Sequence, residues 1–214
     1  MIVVFDLDDT LYDEIDFVRS GFRYVARFLD SCRENEIFSF MWGLFCNIGS
    51  GRIFDETVAA FDLSVEVSQL VDLYRYHPPN IELPGDSKQI LEYLEGVCPL
   101  ALVTDGPGRM QKNKFFAMGL DQWIEFPVFT SLYDTSKPEE KAFRLVMQYF
   151  SDETKFLYFA DNPAKDFIAP RNLGWLTVRY KNRFGLYKDL PSDADFEIEN
   201  RTELLEIVNK VGDK

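Results

Sequence analysis

The chain has 214 residues and carries 23 Lys and Arg against 36 Asp and Glu, which gives a formal net charge of −13. Hydrophobic residues make up 46% of the chain and aromatic residues 15%, which excludes an intrinsically disordered protein because such chains lack apolar groups to bury. The negative charge repels nucleic-acid phosphates and anionic membrane surfaces, so we expect neither nucleic acid nor membrane as a partner.

Short apolar runs typical of strands buried on both faces recur along the chain. They occupy Ile2–Phe5, 100–103, 128–129, Phe156–Ala160 and 175–178. Segments with helical spacing of apolar residues separate the later runs, at Gly85–Leu94, 110–120 and 138–150. Strands that alternate with helices predict an α/β protein with a doubly wound parallel sheet, that is, a Rossmann-like core.

Residues 13–80 interrupt this alternation, since their apolar residues have helical spacing and no strand-like run is convincing. The segment leaves the sheet just after the first strand and returns at Pro78-Pro79. We therefore expect a helical subdomain at 13–80, inserted into a core formed by residues 1–12 and 81–214.

The sequence offers no signal for export or membrane insertion. The N-terminus has no basic segment followed by a cleavage site, and the longest apolar stretch is too short to span a bilayer. Three scattered cysteines form neither a disulfide framework nor a metal-binding pair. These features favour a cytoplasmic protein. The sequence does not decide between a monomer and a homodimer.

Polar residues follow three of the strand-like runs. Asp6 and Asp8 follow the first run, Thr104 and Asp105 the second, and Asp161 follows Phe156–Ala160. In an open α/β sheet, ligands bind outside the carboxyl ends of the strands, so we expect these side chains to share one crevice. Carboxylates this close repel one another, and Mg²⁺ would relieve the repulsion.

Such a crevice suits phosphoryl transfer. A carboxylate beside Mg²⁺ can act as a nucleophile, and a second carboxyl two residues further on can serve as general acid and then base. Lys137 can neutralise charge on the transferring phosphoryl group, while Thr104 and the backbone amide of Asp105 can donate hydrogen bonds to its oxygens.

Four short motifs resemble those of the haloacid dehalogenase superfamily, in the same order. They are Asp6-Leu7-Asp8-Asp9-Thr10, Thr104-Asp105-Gly106, Ser136-Lys137-Pro138, and the run from Asp161 to Asp166. The resemblance covers essentially the whole chain and implies that the insertion at 13–80 is a cap that closes over a small substrate.

The resemblance also implies a role for each matching residue. Asp6 would be the nucleophile that becomes an aspartyl-phosphate, and Asp8 would be the acid and base, with its backbone carbonyl on Mg²⁺. Asp161 would be the third protein ligand of the metal. Thr104 and Lys137 would hold the phosphoryl oxygens, and Asp166 would bind a metal-bound water or orient Lys137.

Within this superfamily the residues favour a phosphatase that hydrolyses a small phosphorylated metabolite: a sugar phosphate, a nucleotide or a phosphorylated sugar acid. A dehalogenase lacks the acid that is present at Asp8, and phosphonate hydrolases need a cap lysine, whereas residues 13–80 contain none. A phosphomutase, or a silent binding module on the same fold, is the alternative.

Three arginines of the inserted segment are candidates for substrate specificity. Arg19 and Arg23 lie four residues apart on one predicted helix face, and Arg52 lies in a flexible Gly-Ser-Gly-Arg turn. They could bind a carboxylate or a second phosphate of the substrate. The alternative, a solvated surface paired with nearby acids, is the commoner role of charged stripes.

Overall fold

A computed structural model describes residues 1–212 of the protein. Within them, six strands form one parallel sheet. The strands are β1 (Ile2–Phe5), β2 (Leu100–Thr104), β3 (Phe126–Phe129), β4 (Phe156–Ala160), β5 (Leu176–Tyr180) and β6 (Phe196–Ile198). Their order is β3-β2-β1-β4-β5-β6, and every neighbouring pair is parallel. The predicted doubly wound α/β core is confirmed.

Helices connect the strands and also form the segment between β1 and β2. They are α1 (Glu14–Leu29), α2 (Glu34–Ile48), α3 (Ile53–Ala60), α4 (Val67–Tyr76), α5 (Gly85–Leu94), α6 (Gly108–Ala117), α7 (Lys141–Tyr149), α8 (Ile168–Asn172) and α9 (Leu204–Gly212). Among the described residues, none of these helices is both long enough and apolar enough to cross a membrane.

The chain divides into two compact units. One comprises Met1–Glu14 and the chain from Glu82 onward, and the other comprises Ile15–Ile81. The sequence predicted an insertion at 13–80, so the bounds differ by one or two residues. Asp13 and Glu14 belong with the sheet because they contact Arg201 and Lys114 there.

The sheet is buried on both faces at its centre, as its apolar composition requires. Every residue of β1, β2 and β4 is buried. On one face, Val4 and Tyr158 pack into a cluster with Phe143 of α7 and with Trp175. Burial of this kind stabilises a domain by about 25 cal/mol per Å² of apolar surface removed from water.

The helical unit has an apolar core of its own. Its buried residues include Phe22 and Val25 of α1, Met41 of α2 and Leu70 of α4. Gly21 of α1 lies so close to α4 that a Cβ there would come within 2.5 Å of a Tyr74 ring carbon. A glycine is therefore needed at this helix contact.

Several elements differ from their sequence-based predictions, and β5 and α6 do so only by shifts of one to three residues at their ends. β6 has no counterpart among the predicted strands, because it is only three residues long and places Glu197 in solvent. The third strand begins at Phe126 rather than at residue 128. α7 begins at Lys141 rather than at Pro138, because a turn closed by the Glu139 N–H and the Ser136 carbonyl precedes it.

Candidate active site

The strand order reverses between β1 and β4, and the site forms at the carboxyl ends of these two strands. The chain after β1 runs to β2 on one side, whereas the chain after β4 runs to β5 on the other. Such a reversal opens a crevice beyond the strand ends. Asp6 directly follows β1 and Asp161 directly follows β4, and both side chains are buried.

A buried lysine links two of the carboxylates. The Nζ atom of Lys137 lies 2.8 Å from Asp6 Oδ1 and 2.7 Å from Asp166 Oδ1. It also donates to the hydroxyl of Tyr158 at 3.1 Å. Burial opposes the charge of Lys137, but the carboxylates of Asp166 and Asp6 outweigh it and hold the lysine pKa well above its usual value. Lys137 is therefore a fixed positive charge beside Asp6.

Three buried carboxylates converge beside that lysine. Oxygens of Asp6, Asp161 and Asp166 all lie within 4.8 Å of one another. Burial raises the pKa of Asp6 to about 7, against the opposing effect of Lys137. Burial also raises the pKa of Asp161 to about 9, with a further contribution from the Asp6 carboxylate.

One lysine cannot neutralise three carboxylates, so the neighbouring carboxylates add to the effect of burial in raising the pKa values of Asp6 and Asp161. A hard divalent cation with oxygen ligands would relieve it, and Mg²⁺ is commonly held by one or two carboxylates together with substrate oxygens. The donor set of Asp6 and Asp161 fits such an ion. The remaining acid, Asp166, is already engaged by Lys137 and by the backbone N–H of Asn162 at 2.9 Å.

Asp8 lies in a different environment from the other acids. Its carboxylate accepts hydrogen bonds from Lys114 Nζ at 2.7 Å and from Gln111 Nε2 at 2.8 Å, and the Tyr12 hydroxyl also donates to it. Burial alone would raise its pKa, but the Lys114 ammonium and these donors outweigh burial and lower the pKa of Asp8. The second carboxyl is thus oriented by side chains of α6.

The chain after β2 supplies Thr104 and Asp105. The buried Thr104 hydroxyl accepts a hydrogen bond from Gln111 Nε2 at 2.7 Å, so one amide group contacts both Thr104 and Asp8. The Asp105 carboxylate accepts from the Lys137 backbone N–H at 3.1 Å and from Lys165 Nζ at 2.9 Å. The Asp105 side chain therefore ties the strand end to the segment that carries Lys137.

The three candidate arginines all lie in the helical unit, where each has a polar partner. The pairs are Arg19 with Asp16, Arg23 with Asn35 at 3.1 Å, and Arg52 with Glu56 at 3.6 Å. Two of them also lie over aromatic rings: the guanidinium of Arg19 is 5.0 Å from the Trp42 ring centroid, and that of Arg23 is 4.1 Å from the Phe38 centroid. These contacts are typical of a structured polar surface.

Sequence reasoning did not identify Gln111, Lys114, Tyr158 or Lys165 as part of the site. Gln111 and Lys114 are one helical turn apart on α6, so their spacing places both on one face. A lysine within a polar helix is usually exposed, so spacing alone gives no reason to bury Lys114. Its partners become evident only once the fold brings α6 beside the end of β1.

Comparison with known proteins finds similarity over most of the chain. The family of haloacid dehalogenase-like hydrolases matches residues 1–174. A glyceraldehyde 3-phosphate phosphatase from Methanocaldococcus jannaschii is 26% identical over 228 residues, covering 98% of this chain and 97% of that protein.

Two solved structures share the fold. The HAD-hydrolase YfnB from Bacillus subtilis, bound to magnesium, superimposes with a TM-score of 0.71 at 17% identity, covering 97% of this chain and 98% of the other. A 2-haloacid dehalogenase from Pseudomonas syringae gives a TM-score of 0.67 at 18% identity and covers 98% of both chains.

Proposed function

The chain belongs to the haloacid dehalogenase-like hydrolases, and we propose that it hydrolyses a small phosphomonoester, with Mg²⁺ as cofactor and an aspartyl-phosphate intermediate. The observation that carries the proposal is the contact of Lys137 with Asp6 inside a cluster of three buried carboxylates. That arrangement suits a nucleophile beside a cation and a fixed positive charge. The similarity to a glyceraldehyde 3-phosphate phosphatase supports a sugar phosphate or a related metabolite as substrate.

Asp6, Asp161 and the backbone carbonyl of Asp8 would hold the metal, as the family resemblance implies. Bound Mg²⁺ supplies positive charge that offsets the repulsion between carboxylates and phosphoryl oxygens. The raised pKa values of Asp6 and Asp161 support this assignment, since ionising both acids requires additional positive charge nearby.

The reaction would take two steps. In the first, an oxygen of Asp6 forms a bond to phosphorus while the bond from phosphorus to the ester oxygen breaks, and Asp8 donates a proton to the leaving alcohol. Asp8 must carry that proton when the substrate is bound, and the negative charge of the phosphoryl group favours it, against the lowering of the Asp8 pKa by Lys114. In the second, Asp8 accepts a proton from water as that water forms a bond to the phosphorus of the aspartyl-phosphate, while the bond from phosphorus to the Asp6 oxygen breaks and frees the Asp6 carboxylate. The products are the alcohol and inorganic phosphate, and both carboxyl groups return to their initial states.

Other residues would hold the phosphoryl oxygens during transfer. Lys137 supplies a permanent positive charge, since its pKa lies well above neutrality. The hydroxyl of Thr104 and the backbone amide of Asp105 supply hydrogen-bond donors from the end of β2. Donors fixed before the reaction stabilise developing negative charge without reorganisation.

We also propose that the helical unit is the cap implied by the family resemblance. A cap excludes water from the reacting groups and adds contacts to the substrate. The small phosphorylated metabolite is then the principal partner of the protein.

Phosphate release from a panel of small phosphomonoesters, including glyceraldehyde 3-phosphate, tests the proposal. We expect release with Mg²⁺ and none with EDTA, and we expect Asp6→Asn to abolish turnover while leaving the fold intact. Asp121→Asn, at an exposed position, is the matched control for the loss of one carboxylate. Release by Asp6→Asn at the wild-type rate, or full activity in EDTA, would contradict the proposal.

A further inference from the structure

Three successive peptide carbonyls just after Asp8 each accept a hydrogen bond from a side chain that lies far along the chain. The three pairs are Asn182 Nδ2 with Asp9 O at 3.3 Å, Arg201 Nε with Thr10 O at 2.7 Å, and Ser87 Oγ with Leu11 O at 2.6 Å. The backbone that follows the second carboxyl is therefore held at consecutive positions by groups outside the turn.

Arg201 makes one of these three contacts and has further partners in the same region. Its guanidinium is buried and binds the Asp13 carboxylate at 2.6 Å and the Asp86 carboxylate at 3.2 Å, in addition to the carbonyl. It also stacks on Tyr180, with its central carbon 4.7 Å from the ring centroid. Asn182 donates to the same Asp13 oxygen at 3.1 Å. Arg201 and Asn182 thus converge on one short segment, Asp9 to Asp13.

That segment contains a backbone conformation that needs support. Asp9 has a φ of 54°, in the left-handed region that residues other than glycine rarely occupy. Such a conformation is strained and persists where the surrounding structure holds it. The Asp9 side chain also accepts the Glu14 backbone N–H at 3.0 Å, which closes the turn from within.

Arg201 and Asn182 both lie beyond residue 174, where the match to the family ends. Asn182 follows β5 and Arg201 follows β6. These two strands form the edge of the sheet opposite to β2 and β3. Neither residue contacts Asp6 or Asp8 through a described hydrogen bond or ion pair. Any effect on the reaction must therefore pass through the turn.

We propose that Arg201 and Asn182 are positioning residues that hold the turn after Asp8, so that this carboxyl reaches the leaving oxygen of the ester. The inference rests on the proposed function, in which Asp8 protonates that oxygen. Misplacement of a reacting group by about 1 Å can lower a rate by about a hundredfold. A loosened turn should therefore slow proton transfer from Asp8 more than it weakens substrate binding.

The leaving group provides a specific test. An alkyl phosphate needs a proton on its departing oxygen, whereas a nitrophenyl phosphate leaves readily without one. We expect Arg201→Met to lower kcat/KM by about tenfold for an alkyl ester and by about twofold for nitrophenyl phosphate. The readout is the ratio of kcat/KM for the alkyl ester to kcat/KM for nitrophenyl phosphate. Asp8→Asn, which removes the proton donor itself, sets the largest change expected in this ratio.

Arg179→Met is the matched control. Arg179 is also a buried arginine that donates to two carbonyls, those of Leu190 at 2.8 Å and Tyr187 at 2.7 Å. These partners lie five or more residues beyond Asn182, and neither belongs to the turn after Asp8. We expect it to reduce thermal stability without changing the ratio between the two esters. Arg201→Lys keeps the charge but loses the planar fork, and it replaces Arg201→Met if that variant does not fold.

Amide hydrogen exchange of residues 8–14 gives a readout that does not depend on turnover. We expect faster exchange across this segment in the Arg201 variant and unchanged exchange in Arg179→Met. Unchanged exchange and an unchanged ester ratio in a folded Arg201 variant would overturn the inference, as would an equal change of ratio in Arg179→Met. Absence of phosphate release by the wild type would instead overturn the proposed function, and the inference with it.

Discussion

Lys114 forms a buried ion pair with Asp8, in which its Nζ atom lies 2.7 Å from Asp8 Oδ1. The lysine side chain has no exposed surface, and a second carboxylate, Glu14, lies 3.6 Å from the same nitrogen. The Asp8 charge, followed by burial, raises the pKa of Glu14 to about 7, against the opposing effect of Lys114. The Lys114 ammonium therefore pairs with two carboxylates: Asp8, just before the turn, and Glu14, at the start of α1.

Replacing Lys114 with Met should impair both stability and turnover. Removing one partner of a buried ion pair leaves an uncompensated charge, which costs about 3 kcal/mol in the free energy of unfolding. Because Asp8 also loses its main orienting contact, we expect kcat to fall by at least about tenfold while KM changes by less than about threefold. Denaturant unfolding and steady-state kinetics measure the two effects.

Lys112→Met is the control, since Lys112 is an exposed lysine on the same helix. It should leave kcat and the free energy of unfolding within error of the wild type. If a folded Lys114→Met protein turns over at the wild-type rate, then Lys114 does not orient Asp8.

Replacing Asp8 with Asn should trap the covalent intermediate. With nitrophenyl phosphate the first step needs no proton for the leaving group, so Asp6 can still be phosphorylated. The second step lacks its general base, so the phosphoryl group should remain on the protein. Intact-protein mass spectrometry after acid quench should show one added phosphoryl group in Asp8→Asn, and none in the double variant with Asp6→Asn. An unmodified single variant that also releases no phosphate would contradict the two-step scheme.

The central fold was predictable because its strands are buried on both faces. β1 and β4 are continuous apolar runs that are each followed directly by an aspartate, and this pattern predicts both the strands and the crevice. β6 was not predictable, because it has only three residues and its central residue, Glu197, is exposed, so it shows no continuous apolar run. Strand length and burial, rather than strand propensity, separate the two cases.

The candidate site was predictable only in part, for a related reason. Asp6, Asp161 and Lys137 stand next to strand ends or in recognisable motifs, so their positions in the sequence indicate their positions in the fold. No motif or strand-like run in the sequence singles out Lys114 or Arg201. A lysine on a helix and an arginine near the C-terminus are ordinarily exposed, so sequence alone does not predict their burial. Their roles depend on contacts across the fold, which spacing along the chain does not encode.

The arginines of the helical unit should have a small effect on substrate affinity. Arg19 is paired with Asp16 and lies over Trp42, and Arg23 lies over Phe38. Both guanidinium groups therefore already have partners within the helical unit. We expect Arg19→Ala and Arg23→Ala to change KM by less than about threefold, in line with the small energies of exposed ion pairs. Arg52→Ala provides the comparison for an arginine with a looser partner, Glu56 at 3.6 Å. An increase in KM of about tenfold or more in any one variant would instead assign that arginine to substrate recognition.

The buried acids predict how stability depends on pH when no metal is added. The pKa of Asp6 is raised to about 7 and that of Asp161 to about 9, from an ordinary value of 3.8. The unfolded chain releases these protons near pH 4, whereas the folded protein keeps them until pH 7 and 9. The folded state therefore binds more protons in this window, and these two groups make the free energy of unfolding fall as pH rises from about 4 to about 9.

Added Mg²⁺ should counteract this fall, because it binds the ionised carboxylates. Thermal unfolding should show a larger stabilisation by Mg²⁺ at about pH 8 than at about pH 5, since protons compete for the same oxygens at the lower pH. Asp161→Asn should be more stable than the wild type at about pH 8 in EDTA and should respond little to Mg²⁺, while Asp121→Asn should behave like the wild type. Equal stabilisation by Mg²⁺ in Asp161→Asn and the wild type would remove Asp161 from the metal site, because a ligand that is lost without consequence does not hold the ion.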